Sequence, residues 1–345
     1  MPAERSMAEA CQRPPPASSG PGDPAGMRRM GPREKIASME MLVTGAGGFV
    51  GGALVPELTG RGHTVRAATR HPDRYQAPAG AVAHRLDLDD QASLAPALDG
   101  VEVAYYLVHS MAEKGSFARR DLHHARAFGR AARAAGVDRV IYLSGLGDLR
   151  EGLSEHLASR RAVEDALAST GPDLTVLRAA VVLGRGGASF EMLVQLVRRL
   201  PVMVCPSWVD TASQPIALSD AVGYLADAAA TEATRGQRLE IGGPEVLTYR
   251  EMMLRFARLE GRRRLIVSVP LFTPGLSSHW IGLVTDVPAA VARPLAEGLR
   301  NRVVVTNGAA RRLMPRDLAT FEEACRAALA PAPGAGPAAG SGGLK

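Results

Sequence analysis

The sequence predicts an α/β protein built on a doubly wound parallel sheet, with a smaller C-terminal lobe interleaved with the last strands. Two observations predict this class. Between about residues 41 and 183, short apolar segments alternate with longer segments of helical periodicity, as in successive βαβ units. A glycine-rich string at residues 44–51 separates the first strand from the first helix, where open α/β sheets commonly bind a ligand.

The predicted elements follow a regular order up to about residue 185. The segment 101–108 is almost continuously apolar, which indicates a strand buried on both faces. Farther on, Thr248 and Glu251 form a capping box for a helix that runs through Leu259. The predicted strands are 41–44, 64–69, 81–86, 101–108, 140–143 and 174–183, and the predicted helices include one that ends near 59, then 117–135, 154–169 and 190–200.

The glycine string, Thr44-Gly45-Ala46-Gly47-Gly48-Phe49-Val50-Gly51, has the spacing of a dinucleotide-binding turn in a Rossmann-type sheet. Gly45 permits the tight turn, Gly48 lets the backbone approach a pyrophosphate, and Gly51 allows the helix to pack closely on the strand. The helix start at Phe49 and Val50 then offers backbone N–H groups and the positive end of the helix dipole. These residues predict binding of NAD or NADP.

The end of the second strand favours NADP, with NAD as the alternative. An NAD site usually places an acidic residue there to bind the ribose hydroxyls, whereas an NADP site places an Arg. Here the strand ends in Thr69-Arg70-His71, and no acid follows before Asp73. Arg70 can hold a 2′-phosphate with two hydrogen bonds. Asp87 and Leu88, after the third strand, are expected beside the adenine; an acid cluster at a helix start is the alternative reading.

The 345 residues of the chain are expected to fall into four regions. Residues 1–38 are rich in Pro, Gly, Ser and Arg without apolar periodicity, so we expect a disordered tail, and 331–345 is expected to be a second one. Residues 39–185 are expected to form the Rossmann domain that binds NAD(P). Residues 186–330 are expected to form a substrate lobe interleaved with the last strands of the sheet. Within this lobe, 189–200, Trp208 and the proline-rich segment 270–286 are expected to line the substrate cleft.

Composition excludes several classes of protein. A hydrophobic fraction of 46% with 22% charged residues is typical of a globular chain rather than a disordered or collagen-like one. The net charge of +6 and the basic run Arg258, Arg262, Arg263 and Arg264 are ordinary for a solvated surface, so no nucleic acid partner is expected. Three widely spaced Cys residues predict neither disulfides nor a metal site.

No apolar run reaches the roughly 18–20 residues needed to cross a bilayer, and the chain start lacks the apolar core of a signal peptide. We therefore expect a cytoplasmic protein without a transmembrane segment. The expected partner is a small-molecule substrate. The sequence leaves the oligomeric state open.

The segments described so far resemble the short-chain dehydrogenase/reductase superfamily, in particular its atypical and extended members and the NmrA-like bacterial oxidoreductases. The turn has that group's TGxxGxxG form. The resemblance covers nearly all of 39–330 and implies the Rossmann fold and an NAD(P) cofactor. Further segments that carry it are Tyr106-Leu107-Val108-His109, Tyr142-Leu143-Ser144, Leu177-Arg178-Ala179, Gln214-Pro215-Ile216 and Ile241-Gly242-Gly243-Pro244.

The resemblance also implies a catalytic Ser, Tyr and Lys, with Tyr and Lys in a Tyr-x-x-x-Lys spacing. No Tyr of this chain has Lys four residues later, and its only Lys residues are Lys35, Lys114 and Lys345. Alignment by pattern places Ser144 at the Ser position, His156 at the Tyr position and Arg160 at the Lys position. His156 and Arg160 are one helical turn apart, so the charge of Arg160 is expected to lower the pKa of His156.

Three readings of His156 remain open: proton transfer, orientation of the cofactor, or no role. His109 and Arg178, at the ends of two predicted strands, are candidate cofactor contacts. His123 and His124 are expected on the surface of a helix. The function predicted first is an NADP(H)-dependent oxidoreductase acting on a small carbonyl-bearing or apolar metabolite. A non-catalytic NAD(P)H-binding sensor or assembly factor is the alternative, because the Tyr/Lys pair is missing, and a nucleotide-sugar epimerase or dehydratase ranks third.

Overall fold

The computed structural model describes residues 38–109, 117–147, 154–269, 286 and 298–330. Both predicted tails, apart from Ser38, and most of the proline-rich segment 270–298 lie outside the described residues. In chain order, the strands are β1 Glu40–Thr44, β2 Thr64–Thr69, β3 Ala81–Arg85, β4 Val103–Tyr106, β5 Arg139–Gly145, β6 Asp173–Ala179, β7 Val182–Leu183, β8 Val202–Pro206, β9 Ala212–Ser213, β10 Ile216–Ala217, β11 Arg238–Ile241, β12 Leu247–Thr248 and β13 Leu265–Val269.

The helices lie close to the predicted positions. Ser154 caps α4, and its Oγ accepts a hydrogen bond from the backbone N–H of Leu157. The predicted capping box between Thr248 and Glu251 is confirmed at the start of α7. The helices are α1 Gly51–Gly60, α2 Leu94–Leu98, α3 Phe117–Ala134, α4 Glu155–Thr170, α5 Ala188–Arg199, α6 Leu218–Ala230, α7 Tyr249–Leu259, α8 Ala309–Leu313 and α9 Phe321–Leu329.

Seven strands form the central sheet, in the order β11-β6-β5-β4-β1-β2-β3, and every neighbouring pair is parallel. This confirms the predicted α/β class. β11 comes from residues beyond 185 and pairs with β6, so the C-terminal half contributes a strand to the sheet. The division of the chain at residue 185 stays a prediction.

Helices cover both faces of the sheet, which explains the unbroken apolar strands. In β1, Met41, Leu42 and Val43 are all fully buried. Met41 and Val43 pack with apolar residues of α1 and α6, whereas Leu42 packs with residues of α2, α3 and α4. A strand buried on both faces cannot alternate apolar and polar residues.

A smaller apolar cluster forms the core of the C-terminal lobe. Phe190 of α5 stacks edge-on against Phe256 of α7, and both pack with Met203 of β8 and Cys325 of α9. The predicted strand 174–183 is divided here into β6 and β7. β7 leaves the central sheet and pairs with β10, which links the lobe to the carboxyl end of the sheet.

The sheet changes direction between β1 and β4, because the chain moves to β2 on one side of β1 and returns to β4 on the other. In open α/β sheets, a crevice forms at this point beyond the carboxyl ends of the strands, and ligands bind there. The glycine turn follows β1, and Leu107 to His109 follow β4. The fold therefore brings two of the predicted site segments to one crevice.

Candidate functional site

The glycine turn after β1 requires glycine for two physical reasons. Gly45 has a φ of 64°, a left-handed conformation that other residues rarely adopt. A Cβ on Gly51 would lie 2.3 Å from the carbonyl oxygen of Gly45, so the start of α1 can approach the turn only without a side chain. No side chain caps this helix start. The N–H groups of Gly52 and Ala53 donate to backbone carbonyl oxygens, so the N–H groups that precede them, at residues 49–51, are the ones available to an anionic ligand.

A cavity of about 1200 Å³, part of it open to solvent, runs along the carboxyl edge of the sheet from this turn. The ends of β2, β3 and β4 supply its walls, and α3 adds Arg120 and His124. We call it the dinucleotide cavity. Its size, its glycine wall and its exposed cation fit a dinucleotide. Its predicted lining residues are Gly45, Gly48, Arg70, Asp87, Leu88 and His109.

Arg70 lies at the end of β2, exposed on the wall of the dinucleotide cavity. Among the described residues, it has no ion-pair partner that would compete for its guanidinium. Asp87 lines the same cavity, but its Oδ1 accepts a hydrogen bond from the backbone N–H of Asp89 at 3.1 Å and does not pair with Arg70. The cation at this end of the cavity is thus free to bind a phosphate.

A group of three polar side chains on the same cavity was missed by the sequence analysis. Asp89 accepts hydrogen bonds from Arg120 and from Nε2 of His124, the latter at 2.9 Å. Hydrogen bonding to Arg120 is the main reason that the pKa of Asp89 lies below its usual value. His124 is only 5% exposed, so its predicted surface position is wrong, whereas His123 is exposed as predicted. The spacing of Arg120 and His124, one helical turn apart, was the available signal.

His156, Arg160 and Ser144 line a second cavity, which we call the reaction cavity. Ser144 ends β5, and His156 and Arg160 lie one turn apart on α4. Nε of Arg160 donates a hydrogen bond to Nε2 of His156 at 3.3 Å, and Nη1 of Arg160 donates to the carbonyl oxygen of Leu143. Phe49 and Val50, from the start of α1, line the same cavity rather than the dinucleotide cavity.

His109 and His156 join the two cavities. Nε2 of His109 lies 3.1 Å from Nδ1 of His156, and Nδ1 of His109 lies 2.7 Å from Oδ2 of the buried Asp121. His109 lines the dinucleotide cavity and His156 lines the reaction cavity. No pattern in the sequence indicated Asp121, because Asp121 lies on α3 and its partner His109 lies in the loop after β4.

One arrangement of protons satisfies each contact in the series of side chains from Asp121 through His109 and His156 to Arg160. Nδ1–H of His109 lies on the side of the Asp121 carboxylate, with Nδ1 and Oδ2 2.7 Å apart, and Nε2 of His109 then accepts from Nδ1–H of His156. Nε2 of His156 is left as the acceptor for Arg160. Both imidazoles are neutral in this arrangement.

Burial and neighbouring charges keep both histidines neutral. Burial, followed by the charges of Arg160 and His109, lowers the pKa of His156 to about 2. Burial and Arg160 also lower the pKa of His109, although Asp121 acts in the opposite direction. Arg160 therefore lowers the pKa of His156 as expected, but burial lowers it more.

Arg178 does not reach either cavity. Its guanidinium binds the carboxylate of Glu164, with an Nη2–Oε2 distance of 2.6 Å, on the side of α4 that packs against β6. Burial raises the pKa of Glu164, while the Ser144 hydroxyl and Arg161 act in the opposite direction. A buried carboxylate needs such a cation. The position of Arg178 therefore differs from the one predicted for a cofactor contact.

A third cavity, which we call the apolar cavity, adjoins the reaction cavity in the C-terminal lobe. It encloses about 920 Å³, part of it open to solvent. The two cavities share Val181, Ser189, Tyr249 and Leu299 in their walls. Met192, Leu193, Leu196 and Trp208 line it, as predicted for the substrate cleft, while 270–285 lies outside the described residues.

No group of three or more His, Cys, Asp or Glu side chains in the described part of the chain could hold a metal ion. Among the same residues, no helix is both long and apolar enough to cross a membrane.

The fold and the glycine turn define a Rossmann protein that binds a dinucleotide. Residues 45–193 match the family model for an NAD(P)H-binding domain. The match agrees with the NAD(P) cofactor predicted for this part of the chain and with the predicted resemblance to the short-chain dehydrogenase/reductase superfamily.

Three known proteins are examples of those to which this chain is similar. A ceramide reductase of Caulobacter vibrioides is 28% identical over 295 residues, which are 78% of this chain and 91% of that protein. Subunit 9 of the 1 alpha subcomplex of a mitochondrial NADH dehydrogenase from Arabidopsis thaliana is 25% identical over 64% of this chain and 58% of its own length. The crystal structure of Citrobacter sp. triphenylmethane reductase complexed with NADP(H) matches with a TM-score of 0.69 and 17% identity, over 84% of this chain and all of that one.

Proposed function

We propose that this chain is an NADP(H)-dependent oxidoreductase that reduces the carbonyl group of a largely apolar substrate. The single observation that carries the proposal is the hydrogen bond between His109 and His156. It joins the dinucleotide cavity to the reaction cavity, so a group that can move a proton lies where cofactor and substrate would meet.

NADP is favoured over NAD by the end of β2. Arg70 is exposed on the wall of the dinucleotide cavity, and no acidic residue stands at that strand end to bind the ribose hydroxyls. A guanidinium binds a phosphate with two charge-assisted hydrogen bonds. The backbone from Gly45 to Gly51 would hold the pyrophosphate. Asp87 and Leu88 would contact the adenine end of the cofactor.

The bound cofactor supplies hydride, and the chain manages one proton. A second arrangement of protons makes His156 a donor: His109 gains a proton, Asp121 balances its charge, and Nε2 of His156 carries a hydrogen toward the reaction cavity. Nε of Arg160, which donates to Nε2 in the first arrangement, then turns from Nε2 to the cofactor ribose. When His156 gives this proton to the substrate oxygen, it receives one from His109 through Nδ1. The chain of contacts then returns to its neutral form.

Arg160 and Ser144 complete the proposed site. Arg160 would bind the cofactor ribose, which is the role that the resemblance gives to Lys, and its charge keeps His156 neutral between turnovers. Ser144, at the end of β5, would orient the substrate carbonyl in the reaction cavity. Tyr249 lines the same cavity, and burial raises the pKa of its phenol to about 12, so the phenol keeps its proton.

The apolar cavity supports an apolar substrate. Its walls are almost entirely hydrocarbon and sulfur, and it shares Ser189 and Tyr249 with the wall of the reaction cavity. A substrate with an apolar body could bury that body there while its carbonyl lies beside His156. The relative from Caulobacter vibrioides is named a ceramide reductase, which agrees with a reductase of an apolar compound.

A non-catalytic NAD(P)H-binding assembly factor is the second candidate. The missing Tyr-x-x-x-Lys pair and the similarity to a subunit of a mitochondrial NADH dehydrogenase favour it. Such a protein would bind the dinucleotide but would not need a substrate cavity. The cytoplasmic location expected from the sequence stays a prediction under either candidate.

One experiment separates the two candidates. The affinity of the purified chain for NADPH and NADH is measured first, and oxidation of NADPH is then followed with ketones and aldehydes of increasing hydrocarbon length. The proposal expects turnover whose kcat/KM rises with chain length. Tight binding of NADPH without turnover of any carbonyl in the series would favour the assembly factor.

A further inference from the structure

The two-stranded ribbon of β8 and β13 presents apolar side chains to solvent. Over the first three residues of each strand, exposed and buried residues alternate. The inward residues Met203, Cys205 and Ile266 pack in the core of the lobe. The outward residues of such a ribbon are ordinarily polar. Here they are Val202, Val204, Leu265 and Val267, which are 51%, 42%, 59% and 42% exposed.

These four side chains form one patch, which we call the ribbon face. The parallel register pairs Val202 with Leu265 and Val204 with Val267. Neighbouring strands lie about 4.8 Å apart, so the four side chains contact one another across the ribbon. The described residues contain only two other large apolar side chains as exposed as these, Val82 and Val246. A contiguous exposed apolar patch usually marks an interaction surface.

Arginines surround one end of the ribbon face. Because the strands are parallel, both begin at the same end, and the residues that precede them meet there. α5 ends in Arg198 and Arg199 just before β8, and α7 with its following turn brings a second group just before β13. Nε and Nη2 of Arg264 bind carbonyl oxygens of α5, which holds the two groups together. The second group is Arg258, Arg262, Arg263 and Arg264.

In the described part of the chain, two acidic side chains bind this arginine collar. Glu260 binds Arg198 at 2.8 Å and lies 3.7 Å from Arg262, and Asp286 binds Arg199 at 2.6 Å. Among the described residues, Arg258 and Arg263 are exposed and have no ion-pair partner. The collar therefore carries net positive charge beside an apolar surface.

We infer that the ribbon face and the arginine collar dock on the surface of an anionic lipid bilayer. Apolar side chains flanked by cations match the boundary between acyl chains and anionic headgroups. A second copy of this chain fits less well, because a symmetric pair of ribbon faces would bring two arginine collars together. Met203, Val204 and Cys205 of β8 also line the apolar cavity, so docking would place that cavity beside the lipid.

The inference is independent of the proposed reductase activity, and vesicle co-sedimentation of the full chain tests it. The vesicles contain either phosphatidylcholine alone or phosphatidylcholine with phosphatidylglycerol. The expected result is binding to the anionic vesicles that weakens as salt is added, because salt screens the arginine collar.

Two pairs of variants have matched controls. Leu265→Glu with Val267→Glu should weaken vesicle binding about tenfold or more, because two apolar side chains would no longer be buried in the lipid. Val82→Glu with Val246→Glu adds the same charge to exposed apolar sites elsewhere and should retain most of the affinity. Arg258→Gln with Arg263→Gln should weaken binding about 30-fold, at about fivefold for each cation. Arg311→Gln with Arg312→Gln, on α8, is its control.

Retained NADPH affinity and an unchanged melting temperature show that each variant is folded. The inference is overturned if the parent chain binds neither vesicle, or if each control pair loses as much affinity as its test pair. It is also overturned if light scattering shows a dimer that Leu265→Glu with Val267→Glu dissociates, since the ribbon face would then be an interface between two copies.

Discussion

Nε2 of His109 and Nδ1 of His156 are 3.1 Å apart, although the two residues belong to different elements and line different cavities. His109 follows β4, and His156 lies in the first turn of α4. Because the carboxyl ends of parallel strands meet at one edge of the sheet, the two imidazoles converge beside the glycine turn. The predictions for Asp121 and His156 depend on this convergence.

Arg70→Ala should weaken binding of NADPH about tenfold to 100-fold and leave binding of NADH nearly unchanged. The guanidinium would contact only the 2′-phosphate, and hydrogen bonds between charged groups contribute about 1.5–3 kcal/mol. Fluorescence titration with each cofactor measures the effect. Arg74→Ala is the control, because Arg74 lies one turn farther on and does not line the dinucleotide cavity. Equal losses for NADPH and NADH would remove the assignment of NADP.

Gly51→Ala should abolish dinucleotide binding and destabilise the fold. The added Cβ would lie 2.3 Å from the carbonyl oxygen of Gly45, so α1 would have to move away from the turn. Gly52→Ala is a close control, because its Cβ would meet Ala46 at an ordinary 3.6 Å and alanine favours a helix. Calorimetry and NADPH titration compare the two. Full NADPH affinity in Gly51→Ala would show that the turn does not hold the pyrophosphate.

Asp121→Asn should slow turnover about tenfold to 100-fold without changing NADPH affinity. The carboxylate partly offsets the effects of burial and Arg160 on the pKa of His109. Without that charge, His109 takes up a proton only at lower pH, so the pH profile of kcat should shift to more acidic values. A profile of unchanged position, with lower kcat at every pH, would mean that Asp121 acts only through packing.

Acidification should destabilise the folded chain below about pH 6.5. In the unfolded chain a His binds a proton near this pH, whereas burial lowers the pKa of His156 to about 2 and also lowers that of His109. The unfolded state therefore binds more protons, and stability falls as the pH decreases. Each extra proton bound by the unfolded state lowers the free energy of unfolding by at most about 1.4 kcal/mol per pH unit.

Thermal melting between neutral and acidic pH measures this dependence. His156→Gln should flatten it, because one of the two buried imidazoles is removed. His123→Gln, which changes an exposed His on α3, should melt with the same pH dependence as the parent. An identical slope in His156→Gln would show that His156 is not held neutral by the fold.

The order of the elements and the glycine turn could be predicted because they depend on local sequence. The period of apolar residues indicated the strands and helices to within a few residues, and TGAGGFVG indicated the turn at the switch in the sheet. Ser144, His156 and Arg160 were also predicted as a group, and the structure places them on one cavity.

The remaining contacts depend on distances that the sequence does not contain. Asp121 lies on α3 and reaches His109 only after α3 packs on the sheet. Arg178 was predicted from its position at a strand end, but Glu164, buried on α4, binds it instead. A buried carboxylate competes strongly for a nearby guanidinium, and only the packing of α4 on β6 reveals that it is buried.

The proposed role of His156 is to carry the proton in a reaction between cofactor and substrate. His156→Phe tests it most directly, with His123→Phe on the exposed side of α3 as the control. The carbonyl compound that the parent chain reduces fastest serves as the substrate, and NADPH oxidation and NADPH affinity are measured for all three proteins. We expect kcat to fall by about 100-fold or more in His156→Phe only, with NADPH affinity within about threefold of the parent. Unchanged turnover in His156→Phe, with NADPH still bound, would contradict the account.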